Sequence, residues 1–240
     1  MRQLTGVPPI DPPFAMPERP EPVLRAAAAD GEAQAMLDLG DLAALKRDVP
    51  RALSWWTKAL KADEDLAALR LAHLHLSRGD GELAASCYRR AVEAGVPGAA
   101  NDYGMLLIEQ GDQTGHDLLR RAADGGDASA MYNLGYLAAQ RGDPAEHERW
   151  SRASAEAGNR EGAFALGLLS TERGDVEMAK SWYRTAAQAQ HVDAMLNLGN
   201  VLREQGDLDS AEHWYEQGAA AGDEDAARNL VLLRRQRYGR

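Results

Sequence analysis

The sequence predicts an all-α fold: a right-handed α-solenoid of about six helix-turn-helix repeats, closed by a C-terminal capping helix. Three observations predict it. A Leu-Gly pair or close variant puts its second member at positions 40, 72, 104, 135, 167, 199 and 231, a step of 32 with one step of 31. A Gly-Asp pair recurs at Gly79, Gly111, Gly142, Gly174 and Gly206 with the same steps. Aromatic pairs at Trp55-Trp56, Trp182-Tyr183 and Trp214-Tyr215 keep that register, as do the small residues Ala52, Ala84, Ala179 and Ala211. One period shared by independent markers is the mark of a repeat array.

The elements follow in order. Seven of the ten prolines lie between Pro8 and Pro22, so residues 1–23 are predicted to form an extended, Pro-rich arm, either a leader or a docking segment with Phe14 and Met16 as apolar anchors. Residues 24–240 form a single predicted repeat domain. Its first stretch, "VLRAAAAD", suits a partial helix covering one end of the stack. Six helix pairs follow from about Glu32. In the unit from Asp193 to Asp223, Ala194, Met195, Leu198, Val201 and Leu202 recur at helical spacing. Gly206 supplies a left-handed stop and Asp207 caps the second helix. Ala211, Trp214, Tyr215 and Gly218 then repeat the spacing. Pro50, Pro97 and Pro144 each fall in an expected first turn. Gly135, Gly167 and Gly199 let the second helix cross closely, and the large aromatics are expected to fill the space between neighbouring units. A last helix, about Glu224 to Tyr238, caps the stack.

Composition narrows the function. The 240 residues are 45% hydrophobic with a net charge of −10, a globular composition that disfavours nucleic-acid binding, which needs a basic face. The arginines from Arg228 onward fit the negative end of a helix dipole instead. No apolar run is long enough to span a bilayer, and no signal-peptide core opens the chain, so no membrane contact is expected. The single cysteine, Cys87, cannot form an internal disulfide, which points to a reducing, cytoplasmic location. Arginine outnumbers lysine 23 to 4, a bias associated with bacterial genomes rich in GC.

No catalytic constellation stands out, so no enzyme activity, metal or cofactor is expected. His73 and His75 point to different helix faces, and His116, His147, His191 and His213 lack ligand spacing. Cys87 occupies an aromatic slot of the repeat and reads as a packed filler.

The Leu-Gly of the first helix, the small residue early in the second and the aromatic four later resemble the tetratricopeptide repeat. "AEAGNREGAFALGLL" (Ala155 to Leu169) and "AAAGDEDAARNL" (Ala219 to Leu230) are similar to the related Sel-one-like repeat (SLR). The resemblance covers about Glu32 to the C-terminus and departs at Arg47, where glycine is missing, and at His147, where the small residue is missing. It implies a scaffold or adaptor that binds a protein or peptide partner in the concave groove of the first helices. Asn133 and Asn197, just before the Leu of their repeats, resemble the family's peptide-backbone clamp.

In such a stack, residues two before and two after that Leu face the groove. This selects Asn101, Met105, Tyr132, Tyr136, Phe164 and Asn200 beside Asn133 and Asn197 as candidate peptide-binding residues. Tyrosine joins apolar area to a polar handle, and the amides offer both donor and acceptor to an extended backbone. A structural reading stands beside this one: Tyr132 and Phe164 pack between neighbouring first helices, and Asn133 and Asn197 bond a neighbouring turn. No lysine falls on the predicted face, which disfavours a clamp on a terminal carboxylate. Asp38, Asp41 and Asp102 make one end acidic; Arg203, Arg228 and Arg235 make the other basic. The alternative function is a homo-oligomeric assembly subunit, with self-association through the solenoid edges and the N-terminal arm.

Overall fold

Each turn of the repeat closes one helix with a left-handed residue and opens the next with a side-chain cap. At the Gly206-Asp207 turn, Gly206 has φ +82°, a conformation that costs glycine little because it has no Cβ. The Asp207 carboxylate then accepts from the Ser210 amide at 3.2 Å. The computed structural model describes residues 16–239 and holds fourteen helices and no strand among them. None of these helices is long and apolar enough to cross a membrane.

The chain divides into two compact units whose boundary, after Leu118, falls inside one helix. The first contains α1 (Glu21–Ala29), α2 (Ala33–Leu45), α3 (Val49–Lys61), α4 (Leu66–Ser77), α5 (Gly81–Glu93), α6 (Ala99–Glu109) and the start of α7 (Thr114–Asp124). Here α2 packs on α3, α3 on α4, α4 on α5 and α5 on α6. The second contains α8 (Ala128–Gln140), α9 (Pro144–Glu156), α10 (Arg160–Glu172), α11 (Val176–Gln188), α12 (Val192–Glu204), α13 (Leu208–Ala220) and α14 (Glu224–Tyr238). Its neighbours pack in the same order, from α8 on α9 to α13 on α14. Five of the expected pairs, α2–α3, α4–α5, α8–α9, α10–α11 and α12–α13, and the final helix are therefore present, and α6 and α7 are both helical where the sixth pair is expected.

"VLRAAAAD" is helical, as α1, and buries Leu24 and Ala28 against Ala35 and Leu39 of α2. That helix starts at Glu21, with Pro22 in its first turn. Pro8 to Pro13 and Phe14 of the expected arm lie outside the described residues; Met16 is exposed. Pro50 and Pro144 sit in the first turns of α3 and α9. Pro97 does not open a helix. It precedes left-handed Gly98, and α6 begins only at Ala99.

The aromatics do something more specific than fill space between units. The second member of each pair lies inside its own repeat, on the Leu-Gly glycine of the preceding helix. A Cβ at Gly167 would meet the Tyr183 ring at 2.5 Å, and one at Gly199 the Tyr215 ring at 2.5 Å. Trp56 lies on Gly40 in the same way. All three rings are almost fully buried, while Trp55, Trp182 and Trp214 remain partly exposed.

Arg47 takes the left-handed slot that glycine fills elsewhere, at φ +59°. That conformation costs a non-glycine residue ~1–2 kcal/mol, more than glycine loses in backbone entropy, ~0.5–1 kcal/mol. Arg47→Gly is expected to stabilise the chain by about 0.5–1 kcal/mol, read as a rise in the urea midpoint. An unchanged or lower midpoint would show that the arginine side chain compensates.

The first helix is held partly by charge. Glu21 accepts from Lys46 at 2.6 Å and from Arg25 at 2.6 Å, and these bonds lower its pKa to about 2. A depressed carboxylate stabilises the fold above its unfolded value and loses that contribution as pH falls through the folded one. The protection factors of the α1 amides, which correct for the slower intrinsic exchange in acid, are therefore expected to fall as pH drops from ~4.5 to ~2. Protection there that is flat with pH, or unaffected by Glu21→Gln, would refute this.

Candidate functional site

A polar ladder runs along the first helices, built from three repeat positions: the residue after Leu-Gly, the buried aromatic, and the residue before the next Leu. In the first unit, Asp41 accepts from Trp56 Nε1 at 2.9 Å and from Arg70 Nε at 3.2 Å. His73 Nε2 bonds Asp102 at 2.6 Å beside the Tyr88 ring. In the second unit, Asn200 Oδ1 accepts from Tyr215 Oη at 2.7 Å and from Asn229 Nδ2 at 3.0 Å. Different side chains make the same connection, because buried polar groups need partners.

The ladder does not run through every repeat: Met105 on α6 and Leu168 on α10 are apolar at the position after Leu-Gly, and at the α8–α9 repeat a cleft opens. In the α8–α9 pair, Ser151 occupies the slot of the buried aromatic ring, and Ala165 on α10 replaces the polar residue before Leu. His147 stands where other second helices carry alanine, and its side chain lines the cleft. The pair still packs closely: a Cβ at Gly135 would lie 3.3 Å from Ser151 Oγ and 3.4 Å from the His147 carbonyl. The cleft holds about 380 Å³ between α8 and α10. Tyr132, Tyr136 and Ala139 form one wall; Phe164, Ala165, Leu168 and Leu169 form the other; Glu161 and Glu172 stand among them. Small-ligand sites are commonly concave, mostly apolar and ~300–1,000 Å³.

One wall is braced from the next repeat. Phe164 stacks on His191 at 4.2 Å between ring centres and tilts against Tyr183 at 5.9 Å. His191 takes the cap position that Asp127, Asn159 and Asp223 occupy in neighbouring repeats. Its Nδ1 accepts from the Ala194 amide at 3.3 Å, which leaves Nε2 to donate to Glu161 at 2.9 Å. That bond outweighs burial and lowers the Glu161 pKa, so Glu161 is a carboxylate at neutral pH. Burial, then the Glu161 charge, pushes the Tyr132 hydroxyl up, so it stays a phenol and a donor.

Of the candidate groove residues, Tyr132, Tyr136 and Phe164 come together in this cleft. Asn133 follows Tyr132 on α8 and is half-buried. Asn197 is engaged with the Tyr183 hydroxyl, and Asn200 belongs to the ladder. Asn101 and Met105 belong to the first unit, on α6; Asn101 is buried and donates to Asp102 at 3.0 Å. Sequence reasoning did not single out Glu161, Leu169 or Glu172. Their signal was present as a stripe, since Glu161, Ala165, Leu168 and Glu172 recur every three or four residues on one face. Cys87 is half-buried, and burial raises its pKa, which keeps it a thiol. No group of three potential metal ligands occurs among the described residues.

Comparison with known proteins agrees with this architecture. Sel1 repeat models match residues 33–64, 128–159 and 161–191, and tetratricopeptide repeat models match 69–115 and 192–222. Among curated proteins, no relative matches the sequence. Among solved structures, the chain is similar to a Sel1 repeat protein from Oxalobacter formigenes, at 20% identity and TM-score 0.64, covering 90% of each chain. It is also similar to Pseudomonas aeruginosa pilF, at 20% identity and TM-score 0.60, covering 85% of this chain and 99% of that one. The type IV pilus biogenesis factor PilW matches at 19% identity and TM-score 0.55, over 82% and 98% of the two chains. At these identities the likeness shows the fold, an all-α repeat solenoid. The matched segments cover most of the chain, and the helix pairs, glycine crossings and 32-residue step coincide with them. The chain belongs to the tetratricopeptide/Sel1-like repeat family.

Proposed function

We propose that the chain is a non-catalytic adaptor that binds a segment of a partner protein across the first helices of its second unit. Repeats of this family generally serve as protein-interaction scaffolds. The observation that carries the reading is local: Tyr132, Tyr136 and Phe164 line a cleft where the polar ladder is absent. A purely structural role would favour continuing the ladder, as Asn200 and Asn229 do two repeats on. Half-exposed aromatics gathered in a concave site are the residue type that dominates binding energy at interfaces.

The test compares wild type with the Tyr132→Ala/Tyr136→Ala double variant in partner capture, with molar mass followed by light scattering. Loss of a partner at constant mass is expected. A stable dimer that disappears when residues 1–22 are removed, with capture unaffected by the double variant, would favour self-assembly instead.

A further inference from the structure

We propose that the α8–α10 cleft receives a lysine or arginine side chain of the partner segment; this rests on the adaptor reading above. Three features of the lining select that chemistry together. First, Glu161 and Glu172 line the cleft and no lysine or arginine does, His147 being the titratable nitrogen of the lining. Both glutamates lie on α10, eleven residues apart, so they stand ~16 Å apart along the helix axis. Second, Glu172 is exposed and forms no ion pair among the described residues; the neighbouring Arg173 adds its charge, but its guanidinium is bonded to Glu148. Glu148, Glu177 and Glu212 on the neighbouring second helices are each held by a cation of this chain. Third, the walls between the glutamates are aromatic and aliphatic: Tyr132, Tyr136, Phe164 and Leu168.

Other occupants fit less well. An acidic side chain would meet two carboxylates. A purely apolar anchor would match the walls but strip water from the carboxylates without replacing it, which is unfavourable. A lysine or arginine satisfies both demands, because its methylene stem covers apolar surface while its head stays polar. The head gains from an aromatic face as well as from a carboxylate. The Glu161 end is partly compensated already by His191 at 2.9 Å and Arg160 at 3.2 Å. The entering cation is therefore assigned to the Glu172 end, over Tyr136.

The experiment uses the full chain. Twelve-residue peptides are selected on it from a random display library, and the winners are measured by calorimetry against wild type, Glu172→Gln and Tyr132→Ala/Tyr136→Ala. In a winner, the basic residue is replaced by citrulline, which keeps arginine's shape without its charge, and by norleucine. The expected result is a shared lysine or arginine position, at least tenfold weaker binding with citrulline, several-fold weaker binding to Glu172→Gln, and affinity that falls with salt. Glu172 is exposed, so its amide variant keeps the fold, and a thermal melt checks this. Winners lost by the double tyrosine variant but lacking a basic position, or binding equally as citrulline, would overturn this assignment and leave the adaptor reading intact. Winners indifferent to the tyrosines, or no winners at all, would overturn both.

Discussion

Gly167→Ala is expected to destabilise the chain by about 1–3 kcal/mol, although alanine is the better helix former by ~1 kcal/mol. The new Cβ would lie 2.5 Å from both Cδ1 and Cε1 of Tyr183. The ring has little room to retreat: it is 2% exposed, and its hydroxyl lies 2.9 Å from Thr171 Oγ1. Gly135→Ala is the built-in control. Its Cβ would meet Ser151 and Trp150 no closer than 3.3 Å, so a change within about 1 kcal/mol is expected. A second control reverses the sign. With Tyr183→Ala in the background, itself costing about 3–5 kcal/mol, Gly167→Ala should become stabilising by up to ~1 kcal/mol. Urea unfolding of the four variants beside wild type reads all of this. Equal losses at Gly167 and Gly135, or no sign change without the ring, would show that the ring contact does not set the requirement for glycine.

Arg70→Met is expected to cost about 2–4 kcal/mol at pH 7 and clearly less at pH 4. Asp41 is 8% exposed, and Arg70 is the cation that bonds it. Burial already raises the Asp41 pKa, with the Arg70 charge opposing that rise. Removing Arg70 removes the largest opposing effect, so the native pKa climbs further while the unfolded value stays near ~3.9. A raised native carboxyl binds a proton that the unfolded chain has released. Stability is therefore lost as pH rises from the unfolded value toward the native one. The corresponding amide rung gives the contrast. Asn229→Ala removes a neutral donor to Asn200 and should cost about 1 kcal/mol with no such pH dependence. A pH-independent loss for Arg70→Met would mean that Asp41 is rehydrated when its partner goes.

Much of the fold was legible because the repeat is written in residues with narrow local meaning. Gly206 and Asp207 stop and start helices through backbone conformation and one capping bond, and neither needs a distant partner. Pro97 misled because its effect depends on the next residue: left-handed Gly98 delays the helix to Ala99. The site was half legible. Tyr132, Tyr136 and Phe164 were found from their spacing to the Leu of each repeat, and they do share a cleft. Asn200 met the same rule yet is held by the Tyr215 hydroxyl and Asn229. Glu161 and Glu172 went unnoticed because a glutamate on a helix face reads as ordinary solvated surface until its neighbours are placed.

The sequence by itself determined the period, the helix pairs and the close crossings, since each rests on interactions within about one repeat. Only the tertiary structure decided which polar residues are used up and where the ladder breaks. A rung joins side chains fifteen and twenty-nine residues apart, and the cleft is walled by residues of three helices, from Tyr132 on α8 and His147 on α9 to Ala165 on α10. Whether a gap opens there depends on volumes summed across several helices, and that sum is taken in three dimensions.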